Sequence, residues 1–167
     1  MKRIIILLIF SITMLIVVGC TKIIDKGLAS DEVILENIKY KLDQDDSEYG
    51  IKYKVASNFR KADMINCFSY YSEYINDRTY FVIRIFHYKN KSIDYAIKDT
   101  VEDKYESKEE VKVNNIDYTK VHFINYTKAD VYLYYHKYKN DVYVFSFTAG
   151  IDLTRLEDIF LNSIVYE

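Results

Sequence analysis

The chain has no proline and no tryptophan, only four glycines in 167 residues, and two cysteines. Without proline nothing pre-sets a turn, so boundaries are read from clusters of Asn, Asp, Ser and Lys. Four glycines leave little material for a phosphate cradle, and no Gly-x-Gly-x-x-Gly, P-loop or Gly-x-Ser-x-Gly pattern occurs. Cys20 and Cys67 are too few for a disulfide scaffold. Excess positive charge is also missing: 23 Lys and Arg stand against 25 Asp and Glu, a formal net charge of −2. That balance argues against nucleic acid or anionic lipid as the main partner, since both demand a basic face. What the chain has in quantity is aromatic residues, 18 Tyr and 9 Phe, which favour strands.

Met1-Lys2-Arg3 is a positive start, followed by residues 4–18, apolar except for Ser11 and Thr13. The run suits the apolar core of a secretory signal and falls short of the ~20 residues of a spanning helix. It closes on Val17-Val18-Gly19-Cys20. This order resembles the lipobox of bacterial lipoproteins. The resemblance implies cleavage after Gly19, a diacylglyceryl group on the Cys20 thiol, and residues 1–19 as a signal peptide. Two acyl chains give the stable anchoring that one chain does not. The expected location is the extracytoplasmic face of the cell membrane. An uncleaved signal anchor is the alternative. Removing residues 1–19 leaves 148 residues, one domain's worth, and takes away Lys2 and Arg3, moving the formal charge to −4.

Residues 20–47 read as the lipidated cysteine, a short exposed tether and a lead-in, and 48–167 as the globular domain. Residues 33–42 fit either a helix capped by Ser30 or a strand. An echo between Asn37-Ile38-Lys39-Tyr40-Lys41-Leu42 and Gly50-Ile51-Lys52-Tyr53-Lys54-Val55 favours two strands. Residues 43–48 read as an acidic loop without the regular ligand spacing and glycine of a calcium site, so no metal is expected there. Residues 49–55 alternate as a strand, 57–63 as a loop and 65–74 as a second strand, with Cys67 a small hydrophobe in it. Residues 78–88 are apolar on both faces, the pattern of a central strand. Ser92 caps a helix with Ile93, Ala96, Ile97, Thr100, Val101 and Tyr105 in one stripe, broken at 107–110. Asn114-Asn115 suits a hairpin turn between 111–113 and an arm reaching residue 124. A second hairpin joins 131–138 to 142–148. Asp152 caps a last helix with Leu153, Leu156, Ile159 and Phe160 facing inward and Glu157 on the opposite, solvent side. With hairpin-length loops throughout, the expectation is an antiparallel α+β domain, two helices on one sheet.

From residue 49 to the C-terminus the chain also resembles the PsbP-like family. The matching pieces are Gly50-Ile51-Lys52-Tyr53-Lys54-Val55-Ala56-Ser57-Asn58-Phe59, the 80–88 strand with Arg84, and the 92–105 helix. Val113-Asn114-Asn115-Ile116-Asp117-Tyr118, Tyr143-Val144-Phe145-Ser146-Phe147 and residues 156–166 follow in the family's order. The resemblance implies an α/β/α sandwich. Related bacterial members are often small surface lipoproteins, and no catalytic residue is carried over.

Chemistry-bearing residues are sparse. His87, His122 and His136 each fall mid-strand with no second ligand at metal spacing, the pattern of satisfied sheet histidines. Asn90-Lys91-Ser92 and Asn125-Tyr126-Thr127 match the glycosylation pattern but read as loops. Tyr132, Tyr134, His136 and Tyr138 share one face of one strand and form a candidate partner surface; half-buried tyrosines under a helix are the alternative. The expectation is therefore a monomeric, non-catalytic lipoprotein with a binding or accessory role at the cell envelope. It has no cofactor or metal and binds no nucleic acid. A small-ligand carrier, or a hydrolase-type enzyme with its site between sheet and helices, is the alternative.

Overall fold

The computed structural model describes residues 32–35, 38–57, 59–64, 67–73, 80–148 and 154–167. Period-two runs rich in Tyr, Val, Ile and Phe make most of its elements strands. In chain order they are β1 (Glu32–Leu35), β2 (Ile38–Glu48), β3 (Ile51–Ala56), β4 (Arg60–Met64), β5 (Cys67–Glu73) and β6 (Tyr80–Tyr88). Then come α1 (Ile93–Val101), β7 (Ser107–Val113), β8 (Ile116–Ile124), β9 (Asp130–Tyr138), β10 (Asp141–Thr148), α2 (Thr154–Asn162) and β11 (Val165–Tyr166). Four strands in the order β1-β2-β3-β11 form one sheet, and seven in the order β4-β5-β6-β10-β9-β8-β7 form the other. Every neighbouring pair of the larger sheet is antiparallel. The fold is α+β but dominated by sheet.

The larger sheet is buried on both faces because its central strands alternate between two apolar sets. On β10, Val142 and Val144 point to one face while Tyr143, Phe145 and Phe147 point to the other; all are buried. The first face joins Val121, Leu133 and Tyr135 to Ala96, Ile97 and Val101 of α1. The second joins Ile83, Ile85 and Tyr134 to Tyr53 and Val55 of β3 and to Leu156, Phe160 and Leu161 of α2. The Phe160 ring lies 5.6 Å from Phe147, 6.0 Å from Phe145 and 5.7 Å from Tyr53. It is thus the contact at which the larger sheet, the last helix and the smaller sheet meet.

Local signals set the boundaries. Ser92 Oγ accepts the Tyr95 N–H (3.1 Å), and Asp94 sits in the first turn of α1. The helix stops where Glu102 turns left-handed (φ 51°), so Tyr105 lies outside it. Asn114 and Asn115 both take positive φ (48° and 63°), the geometry of a primed two-residue hairpin. Tyr49 (φ 52°) and Gly50 (φ 77°) turn β2 into β3 in the same way.

Several expectations change. Residues 43–48 are not an acidic loop: they extend β2, with Asp45 opposite Lys54 and Ser47 opposite Lys52. The echoing segments fall in β2 and β3, so 38–42 is strand rather than helix. β2, which begins within the expected lead-in, pairs with β3 through its later part, from Leu42 to Glu48. Residues 60–63 are not loop but most of β4, a polar edge strand against β5. Helix α1 ends at Val101, before residues 107–110, which begin β7. One sheet becomes two: β1, β2 and β3 form a sheet apart from the larger one, and β11 adds to its β3 edge through Val165 and Tyr166. Cys67 begins β5 as a strand residue. The signal sequence with Cys20, the tether, Asp152 and Leu153 lie outside the described residues.

Phe160 is fully buried, whereas Asp158 on the same helix is exposed. Phe160→Ala should cost about 3–5 kcal/mol. At about 2–4 °C per kcal/mol for a chain of this size, melting should fall by roughly 6–20 °C. Asp158→Ala should leave it nearly unchanged. Equal melting of the two variants, followed by circular dichroism, would contradict the packing of α2.

Candidate functional site

The face of the larger sheet under α2 and β11 carries the polar side chains. Alternation puts Tyr132, Tyr134, His136 and Tyr138 on this face of β9 together, as their spacing predicts. They do not make an open surface. Tyr134 is 4% exposed and the other three are half-buried. Rings run continuously across this end of the sheet. Tyr49 lies 4.9 Å from His87, His87 5.0 Å from Tyr143, and Tyr143 5.5 Å from Tyr166. Tyr166 in turn lies 4.9 Å from His136 and 4.8 Å from Tyr138. Tyr138 therefore carries Tyr166 on one side, and the Lys139 ammonium stands 4.9 Å from its ring centre.

The three histidines do not converge. Tyr143 on β10 pairs with His87 on one side and His136 on the other, so a whole strand separates these two. His122 pairs instead with Tyr132, further along β9. Each imidazole has its own partner. His87 Nε2 meets Asp141 Oδ2 (2.8 Å), and His122 Nε2 meets Asp130 Oδ1 (2.7 Å). His136 Nδ1 donates to the Asp117 carbonyl (2.9 Å), because a carbonyl oxygen can only accept. No group of three or more metal-ligating side chains occurs among the described residues.

Glu157 is the residue the sequence misplaced. It is not on the solvent side of α2 but 4% exposed. Tyr134 Oη donates to its Oε2 at 2.5 Å, and Lys120 Nζ stands 3.9 Å away. Lys120 itself lies 4.9 Å above the Tyr132 ring and 5.2 Å from that of Tyr134. Burial, then the Glu157 carboxylate, holds the Tyr134 hydroxyl above the usual tyrosine range. The signal was present in the sequence: Leu161 lies one turn after Glu157, on its own side of the helix, and is buried.

Two further hydroxyls, of Tyr118 and Tyr166, are buried and interact electrostatically with each other. Burial pushes Tyr118 up to about 12 and Tyr166 further. At the rim of this face an open hollow of about 300 Å³ is lined by Gly50, Asn90, Tyr138, Lys139, Asp141 and Tyr143, among others. Three turns meet there, and Asp141 ties two of them. Its Oδ1 accepts the Asn90 N–H (2.9 Å) while Oδ2 holds His87. The Asn90 N–H, and then the His87 ring, keep the Asp141 carboxyl below the usual carboxylate range.

Two consequences are measurable. Glu157→Ala strands the Tyr134 hydroxyl and should destabilise by about 1–3 kcal/mol, whereas Glu157→Gln keeps an acceptor and should cost less. Equal losses in chemical denaturation would count against the buried hydrogen bond. Asp141 has a depressed pKa when folded, so its contribution exists above its unfolded value of 3.8 and is lost as pH falls through the folded one. Asp141→Asn should therefore melt below the parent near neutral pH, and the gap should close in strong acid. A gap that stays constant into acid would contradict the linkage.

No family model matches the chain, and no curated protein matches it. Its fold is similar to that of a protein from Bacteroides thetaiotaomicron VPI-5482 in a crystal structure at 1.50 Å. The TM-score is 0.50 at 18% identity, covering 71% of this chain and 45% of that one. The chain thus spans less than half the length of that neighbour, and the likeness concerns the fold alone.

Proposed function

We propose that the protein is a lipid-anchored, extracytoplasmic binding protein of the cell envelope, with a PsbP-like α/β/α architecture and no catalytic role. One observation carries the anchor: a basic start, an apolar run too short to span and Val17-Val18-Gly19-Cys20 in immediate succession. The partner is a protein or another envelope component. The chain acts as a monomer and binds no nucleic acid, consistent with its mildly acidic charge.

The geometry supports binding over chemistry. His87, His122 and His136 are each held by a neighbouring oxygen. The space between the sheet and α2, where a carrier or hydrolase would need its site, is filled by Phe145, Phe147, Leu156 and Phe160, each at most 1% exposed. That filling weighs against the second reading.

Cys20→Ser tests the anchor. The variant should stay uncleaved and take up no labelled fatty acid, while the parent is processed and labelled. Equal labelling of the two proteins would overturn the assignment.

A further inference from the structure

Among the described residues five large apolar side chains are exposed; Val165 on β11 and Tyr95 on α1 stand apart, and the other three lie at one end of the larger sheet. Ile124, 52% exposed, ends β8, and Tyr126, 97% exposed, stands in the loop to β9. Glu106 N–H donates to the His122 carbonyl (2.8 Å), which brings the segment of Tyr105, itself 39% exposed, beside the same end. The rim hollow and its turns are at the opposite end.

The loop is held in shape. Asn125 Oδ1 accepts from Thr127 N–H (2.9 Å), the Thr127 hydroxyl (2.7 Å) and Ala129 N–H (3.0 Å). The main chain closes across the loop from Asn125 N–H to the Ala129 carbonyl (3.0 Å) and from Lys128 N–H to the Asn125 carbonyl (2.9 Å). Tyr126 is therefore presented to solvent on a preorganised tip, which has little ordering left to lose on contact.

The tip holds the Tyr126 ring almost wholly in solvent. Its chemistry, a fully exposed Tyr beside Ile with Lys128 and Asn125, is that of side chains at a membrane–water boundary, where an aromatic body is buried and its polar edge stays wet. The chain outside the described residues favours the same occupant. Residues 21–31 extend at most about 40 Å, at ~3.3–3.6 Å per residue. A domain tethered that closely meets the bilayer at roughly millimolar effective concentration, so a contact too weak to hold a free protein becomes well populated. Lys104 and Lys128 near the tip are offset by Glu102, Asp103 and Glu106, so the contact needs no anionic lipid.

We propose that Ile124 and Tyr126 form an interfacial membrane contact, seated at the headgroup–acyl boundary when the anchor holds the domain at the bilayer. This rests on the anchored reading above. The absence of native tryptophan makes it testable, because Tyr126→Trp introduces a single reporter. The mature acylated protein carrying Tyr126→Trp is reconstituted into phosphatidylcholine vesicles with plain or brominated acyl chains. Its emission should shift to the blue and lose most of its intensity with the brominated lipid, with little dependence on salt. Tyr95→Trp on α1 should do neither, and Ile124→Asp added to Tyr126→Trp should abolish both effects. Vesicle-bound Tyr126→Trp protein whose indole emission is unquenched would overturn the tip contact and leave the anchor standing. A blue shift without quenching would place the tip against protein and also overturn it. Lack of acylation by mass spectrometry would sink the anchor instead. The tip would then be judged by the same vesicles at raised lipid concentration, where absence of quenching overturns it.

Discussion

Everything in the fold depends on β10 being apolar on both faces. A strand with one wet face needs a single covering layer; β10 needs two. Val142 and Val144 require α1, while Tyr143, Phe145 and Phe147 require α2 and β3. Because β10 lies between β6 and β9, it fixes the registers of both neighbours, and through them the side of the sheet on which each Tyr, His and Lys falls. The order of the other elements follows: α1 crosses one face between β6 and β7, and α2 returns across the other to place β11 beside β3.

The abundance of tyrosine sets the second constraint. A buried Tyr brings a large apolar area and one hydroxyl that needs a partner. Several of these hydroxyls are satisfied where they reach across layers. Tyr134 reaches Glu157 on α2, Tyr135 meets Thr100 on α1 (2.5 Å), and Tyr143 donates to the Tyr49 carbonyl (2.8 Å). Each links the sheet to a different covering element, so the polar contacts report the same layering as the apolar ones. Glu157 is buried for this reason: it is the acceptor that lets Tyr134 lie under α2.

Much of this was legible. Both helices, the Ser92 cap, the Asn114-Asn115 turn, the four strand segments between the helices and the interior place of 80–88 as β6 followed from periodicity and turn chemistry; the sequence pattern marked β10 only as a hairpin arm, although it is the middle strand. What escaped was polar. Residues 43–48 and 60–63 lack apolar alternation, so they read as loops. In the fold, β2 and β4 gain their strand character from a partner's backbone, which no local pattern reveals. β11 is two residues long and exists only because β3 offers an edge. For the candidate site, the shared face of Tyr132, Tyr134, His136 and Tyr138 was readable from a period of two. Their burial was not, since it depends on where the last helix returns. Asp141 was missed as the partner of His87 because β6–β10 pairing joins residues 54 apart in the chain. Asp130 was missed as the partner of His122 because it reads as the end of a polar loop rather than the first residue of β9.

At the proposed membrane contact the same rigidity serves a surface role. A sheet locked on both faces gives a firm base for the 125–129 loop, and the side chains left outside the cores are what the protein can offer to its surroundings. The central claim is that β10 is the common wall of both cores, and native-state hydrogen exchange tests it most directly. The amides of Val144, Phe145 and Ser146 should exchange only on global unfolding, with those of the edge strands β4, β7 and β11 opening at lower free energy. Exchange of the β10 amides through a local opening, ahead of α1 or β8, would contradict the account.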